Sequence, residues 1–424
     1  MELTLESIEG EPFQLFLDSI RSEKTKKLYL SFLDKFLEVL PSEIFETHLN
    51  ESPSTNQKEK TNQFIRIAKN DIKITKQIIH AYVRELKVMA ENKEFYPSQI
   101  GNRLKPIKSL FEVNEIDFSW KLINKSIPRI GKSQDRAYTR EELQTLMNKS
   151  GDITNKVIIL LFSSAGFRVE AWDYFTWSDV KFFYTEEKEP KGLAIRVYKG
   201  DAEEYWTHGT PEAQKMLSLY RENWKVRFGK YPEPDDPLLV STRANTIKRL
   251  KYGGVRSRVI DLLRSCGMRP LLDKNTMRHE VPADHGFRKY FNTMCRRAKV
   301  DYLDKKDMMG HSNGLEKSYE RYNEEDFERF PEYQKAIPFL TISEEERVKA
   351  ELELKSAENE ELTQKNEQLE DNQKKIDKME KDIAKHESYW FDQNFPKESD
   401  SEEHQLIMRL EQIRLKKKDL TPNT

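Results

Sequence analysis

The sequence is poor in several things that common function classes require. Its 424 residues include two cysteines, Cys266 and Cys295. That excludes a disulfide scaffold or a cysteine-based zinc site within the chain, and it fits a reducing cytoplasm. Glycine is scarce at 15 residues, and neither G-x-G-x-x-G nor G-x-x-x-x-G-K-[ST] occurs, so the two common phosphate-cradling loops are unsupported. No apolar run approaches the length needed to cross a bilayer, about 18 residues. The opening, MELTLESIEGEPF, is acidic and lacks the basic flank and apolar centre of a signal peptide. The net charge is −1, which excludes a uniformly basic surface.

What is present is length and charge. A chain of 424 residues is longer than the limit of about 250–300 at which single cores stop growing, so two or three domains are expected. Charged residues make up 34%, and they are unevenly spread. Residues 341–424 carry a net −7, residues 1–60 carry −5, and residues 61–130 carry +6. The strongest block, 241–300, sums to +11 and mixes its cations with Ser, Thr, Asn and Tyr. That mixture suits an anionic polymer backbone, with cations to displace counterions and neutral donors to fix register. It is equally readable as a solvated helical face.

Apolar spacing over 11–40, 73–90 and 98–112 predicts helices, with a polar loop or short break at 47–62. Pro128 and the run GKSQDR at 131–136 read as a linker. Residues 1–132 are therefore expected to form an all-helical domain. Thr139 and Glu142 have capping-box spacing at the start of a helix, and NKVIILLFSS is an apolar helix ending near Gly166. Residues 193–199 and 202–209 read as a hairpin, and helices follow from 211. The expected class is mainly α, with an α+β second domain (136–340) holding a small antiparallel sheet. Over 343–388 the chain is a charged helix. Val348, Leu362, Leu369, Ile376 and Ile383 share a seven-residue register, but Asn359, Asn366, Gln373 and Glu380 occupy the companion seam. It is a weak coiled coil or a lone charged helix. Residues 389–424 are left as a tail.

Four elements of the second domain carry chemistry-bearing side chains. Arg168 follows the helix-ending glycine in SSAGFRVEAWDYFTWSDV. Lys199 sits at the hairpin tip in VYKGDAEEYW. His285 and Arg288 form H-x-x-R in HGFRKY. His311 lies in MMGHSNGLEKSYERY, with Tyr319 and Tyr322 eight and eleven residues later. Each alone has an ordinary structural reading, as ion-pair partner, solvated lysine or core aromatic. Their order resembles the catalytic domain of the tyrosine recombinase family, the phage-type integrases. AGFRVE, FTWSDV, YKG, HGFRKYFNTM and MMGHSNGLEKSY carry the resemblance, and SEKTKKLYLSFLDKFLEVL resembles the opening helix of that family's core-binding domain. The spelling G-L-E-K-S-Y and the segment YQKAIPFLTIS are closest to archaeal integrases.

The resemblance implies a site-specific recombinase, with Arg168, Lys199, His285, Arg288 and His311 catalytic and Tyr319 the nucleophile. Tyr322, one helical turn on, remains the alternative. It implies a 3′-phosphotyrosyl intermediate, no metal or other cofactor, double-stranded DNA as partner, four protomers on two duplexes, and a nucleoid-associated location on behalf of a mobile element. A topoisomerase of type IB and an inactive DNA-binding accessory protein are the alternatives. The acidic residue that this family places three after the first arginine is Ala171 here, with Glu170 one position early. Expected DNA contacts are Arg103, Lys105 and Lys108 in the first domain, and Arg243, Lys248, Arg249, Lys251, Arg256 and Arg258 in the basic block.

Overall fold

The computed structural model describes residues 11–128, 135–242, 246–271, 279–311, 328–394, 402, 405–410 and 413. Residues 11–128 contain α1 (Pro12–Asp18), α2 (Glu23–Glu38), α3 (Ser42–Leu49), α4 (Gln57–Asn70), α5 (Ile72–Glu91), α6 (Gln99–Val113) and α7 (Lys121–Ser126). They enclose one apolar core in which Phe16, Leu33, Phe36, Phe45, Phe64, Ile79, Leu104 and Phe111 are fully buried. The polar loop or short break expected at 47–62 is shorter than its composition suggested. Asn56 accepts from the amides of Lys58 and Glu59 and so caps α4, which then buries Phe64, Ile65, Ile67 and Ala68. The break between α3 and α4 is therefore short, and the rest of the polar run is the start of α4 with its solvated face.

A second core, with no residue in common with the first, is built from α8 (Arg140–Lys149), α9 (Ile153–Ala165), α10 (Pro211–Phe228), α11 (Tyr252–Ser265), α12 (His285–Arg297), α13 (Tyr302–Met308), α14 (Phe330–Gln334), α15 (Ile337–Leu340) and a three-stranded sheet. The chain is thus mainly α with a small antiparallel sheet. The capping box is present at α8, where Thr139 and Glu142 bond each other's backbone. α9 is buried along nearly its whole length, as its unbroken apolar run requires. The sheet runs β1 (Val180–Tyr184), β2 (Pro190–Val197), β3 (Tyr205–Gly209) in that order, antiparallel throughout. β2 and β3 are the expected hairpin; β1, a five-residue strand pairing Val180 with Ile195, adds a third. α10 is locked to the sheet by buried Gln214, which accepts from Gly192 N at 2.7 Å and donates to Phe183 O at 2.8 Å.

The charged segment is one helix, α16 (Glu344–Asn394), of 51 residues, which at a rise of 1.5 Å per residue is about 77 Å long. It continues beyond the expected end at 388. Its base is fastened to the second core. Glu212 accepts from the amides of Ile342 and Ser343 at 2.8 and 3.0 Å, and Lys215 meets Glu346 at 2.7 Å. Beyond the base, Leu362, Leu369, Ile376 and Ile383 are all exposed. No described helix is long and apolar enough to cross a membrane.

Candidate active site

The site is built where three segments close over the C-terminal end of α9. The last carbonyls of a helix have no partners within it. Here side chains supply them: Tyr333 donates to Ser164 O at 2.9 Å, Thr207 to Ala165 O at 2.8 Å, and Arg288 to Gly166 O at 2.6 Å. Gly166 itself takes the left-handed conformation, φ 61°, that ends the helix. A Cβ there would lie 2.5 Å from the Phe291 ring, so glycine is required twice over. Arg168 follows at the start of a 3-10 turn, Val169–Asp173. Edge-to-face contacts among Phe162, Phe167, Trp172 and Phe175, with centroids 4.9–5.4 Å apart for the pairs Phe162–Trp172, Phe167–Trp172 and Phe167–Phe175, hold that turn rigid. Arg168 is only partly buried. Ala171 is wholly buried in the core, whereas Glu170 is exposed on the cleft.

α12 begins at His285 and places Arg288 one turn later on the same face. Gly286 is what lets the helix start there, since a Cβ would lie 2.7 Å from the Tyr138 ring. Arg288 is 5% exposed, and its guanidinium ties three segments together. Besides Gly166 O it reaches Met309 O at 2.5 Å and His311 Nε2 at 2.8 Å. A guanidinium can only donate, so His311 Nε2 accepts, the ring is neutral and its proton lies on Nδ1. The electrostatics agree. Burial, then the Arg288 and Arg168 charges, push His311 below the usual imidazole range. Burial, then Lys289 and Arg288, do the same to His285. Both imidazoles are therefore neutral at pH 7; the acceptor nitrogen of His311 is taken by Arg288, which leaves His285 as the proton acceptor.

Arg168, His285 and Arg288 line one open cleft of about 640 Å3, together with Glu170, Arg256, Arg269, His279 and Asp284. His311 joins it through Arg288. Lys199, on the β2–β3 connection, is exposed and donates to Ser178 Oγ at 3.3 Å. Asp284 and Arg269 were not singled out from the sequence. Burial raises the Asp284 carboxyl against the pull of Arg256 and Arg269, and Arg256 Nε stands 3.4 Å from it. Their only sequence signal is that Asp284 precedes His285.

Tyr319 and Tyr322 lie outside the described residues, as does Arg243. The ends of the segment that contains the two tyrosines are, however, drawn together. Arg329, just after it, meets Asp304 at 3.3 Å and Asp307 at 3.4 Å on α13, just before it. Burial lifts Asp304 to about 6 despite Arg329. Its folded value lies above the ordinary 3.8, so the folded state holds this proton more tightly and the contribution to stability falls as pH rises through 4–6. Asp304→Asn, which cannot ionise, should gain about 2–4 °C in Tm relative to wild type between pH 4 and pH 7. Calorimetry at the two pH values checks this, and a difference independent of pH would contradict it.

The expected DNA contacts separate into two groups. Lys105, Lys248, Lys251 and Arg256 present exposed side chains. Arg256 also stands 3.4 Å from Asp284, and of the remaining described ones Arg258, Arg249, Arg103 and Lys108 have partners inside the chain. Arg258 pairs with Asp152 at 2.7 Å and also bonds Asn155 and Thr242. Arg249 donates to Phe175 O. Arg103 lies over the Phe95 ring at 3.9 Å, and Lys108 donates to Asn124 at 2.8 Å. A positive sequence block cannot distinguish these two uses.

No family model matches the chain, and no curated protein does. Among solved structures it is similar to XerA recombinase, at 16% identity and TM-score 0.32, over 76% of this chain and 98% of that one. It is similar to a lambda integrase dimer bound to a COC′ core site, at 14% identity and TM-score 0.47, over 75% and 95%. It is similar to the integrase from mycobacterium phage Brujita, at 12% identity and TM-score 0.35, over 80% and 93%. Similarity this distant leaves function to be argued from the site itself.

Proposed function

We propose that the chain is a site-specific DNA recombinase of the integrase kind, which cuts and rejoins DNA through a tyrosine. The observation that carries this reading is the buried Arg288, tied to Gly166, Met309 and His311, beside Arg168 and His285 on one cleft. A phosphodiester is anionic and a poor electrophile. Two guanidiniums can hold its non-bridging oxygens by charge-assisted hydrogen bonds and stabilise the charge that grows at phosphorus. Neutral His311, with its proton on Nδ1, is suited to donate to the same phosphate.

The nucleophile in this reading is Tyr319, with Tyr322 as the alternative. Ionising a phenol of pKa near 10 at pH 7 costs about 4 kcal/mol, which the arginine field and a neutral His285 would offset. The tyrosyl oxygen bonds to phosphorus, the phenolic proton passes toward His285, and the bond from phosphorus to the 5′ oxygen breaks. Lys199 protonates the departing 5′ oxygen. The 3′-phosphotyrosyl link keeps the bond energy, so a second DNA end can reverse the step without ATP. In this scheme residues 1–132 and 136–340 are two domains that clamp duplex DNA, and four protomers assemble on two duplexes.

The test is covalent capture on nicked DNA from the ends of the element that encodes the chain. Wild type should give a denaturation-resistant protein–DNA adduct, and Tyr319→Phe should give none. An adduct that survives Tyr319→Phe but vanishes with Tyr322→Phe would move the nucleophile. Absence of any wild-type adduct would overturn the reading.

A further inference from the structure

One buried hydroxyl beside this cleft is unexplained by packing. Tyr205, the first residue of β3, is 6% exposed, and its Oη makes no hydrogen bond of good geometry among the described residues; the Arg288 guanidinium acts on its oxygen but can only donate, so the hydroxyl proton has no acceptor there. Buried polar groups nearly always have a partner. The neighbouring buried tyrosines obey the rule. Tyr138 bonds Ala283 O, Tyr290 bonds Phe339 O, Tyr333 bonds Ser164 O, and Tyr220 accepts from Val240 N. The Tyr205 ring is also held firmly. Gly310, at φ 61°, lies so close that a Cβ there would be 2.4 Å from Cε1 and 2.8 Å from Cζ of Tyr205. Tyr198 packs edge-on at 6.3 Å. Phenylalanine would fill this space equally well.

The Tyr205 ring packs against Gly310, which lies between Met309 and His311, and the Met309 carbonyl and His311 Nε2 both accept from Arg288. Burial raises the phenol, while Arg288 and then Arg168 oppose that rise more than any other groups do. It therefore stays protonated at neutral pH, a donor with nothing to donate to. We propose that Tyr205 is a further phosphate-binding residue, whose hydroxyl donates to a non-bridging oxygen held between Arg168 and Arg288. This rests on the reading of the cleft as a phosphodiester site. It adds a neutral donor where the guanidiniums supply charge, and it links the sheet to the helix turn that carries His311.

Tungstate, an inorganic oxyanion of tetrahedral shape, is the probe, titrated calorimetrically into full-length protein. Wild type should bind it saturably, and Arg168→Ala should remove that binding. Tyr205→Phe, which keeps the ring, should weaken it about tenfold, as expected for one hydrogen bond to a charged group, with Tm within a degree of wild type. Equal affinity in Tyr205→Phe and wild type would overturn the assignment, whether or not Tm falls. Wild-type protein with no binding sensitive to Arg168→Ala would overturn it as well. The adduct assay reads separately: tenfold weaker tungstate binding in Tyr205→Phe, alongside a wild type that forms no DNA adduct, would keep this residue's role and remove the recombinase reading.

Discussion

Arg288→Ala is expected to abolish strand cleavage, by at least about 10³-fold, and to weaken the fold at the same time. The side chain does two things that alanine cannot replace. It presents charge to the cleft, and it satisfies Gly166 O, Met309 O and His311 Nε2. Its loss leaves the two carbonyls buried without donors, at about 1–3 kcal/mol for each. Arg288→Lys should recover part of the stability but little of the activity, because one ammonium cannot span three acceptors or fork onto a phosphate. Adduct yield and urea unfolding, measured on both variants, check the two halves. Near-normal cleavage by either variant would show that Arg288 is a structural brace only.

Gly310→Ala should produce the second large effect. The position needs φ 61°, and the added Cβ would meet the Tyr205 ring at 2.4 Å. Left-handed backbone strain and overpacking each cost about 1–3 kcal/mol, so a loss of about 2–6 kcal/mol is expected, together with misplacement of His311 on the following bond. Combining Gly310→Ala with Tyr205→Ala should relieve the clash but not the backbone strain. Urea midpoints of the single and double variants test this. No destabilisation in the single variant would contradict the packing described here.

The parts of the molecule legible in the sequence were those with local signals. The unbroken apolar run of α9 followed by Gly166, the Thr139–Glu142 capping pair, and the charged repeat of α16 all name their own structures. α4 was not legible, because its first turn is polar and its cap, Asn56, sits inside a polar run. β1 is five residues long and lacks clean alternation of buried and exposed positions. In the candidate site, Arg168, His285, Arg288 and His311 were expected from their order along the chain, and the structure brings them to one place. Tyr205 and Asp284 carry no such signal, because what surrounds them comes from distant parts of the chain. Arg288 acts on Tyr205, Arg256 stands beside Asp284, and no short motif encodes either. Among the cations, sequence pattern offered no way to separate Arg258, bound to Asp152, from exposed Lys251. α16 shows the same limit: its helix is legible, whereas the fate of its exposed Leu362–Leu369–Ile376–Ile383 stripe is not a local property.

Peptide mapping of the captured adduct by mass spectrometry tests the central claim most directly. The protein is incubated with nicked DNA in chelator without ATP, treated with nuclease and protease, and searched for a tyrosine carrying a nucleotide 3′-phosphate. The expected result is that modification on Tyr319, or on Tyr322 three residues later, and its disappearance in Arg168→Ala. DNA cleavage with no nucleotide-bearing tyrosine, or cleavage only when divalent metal is supplied, would contradict it.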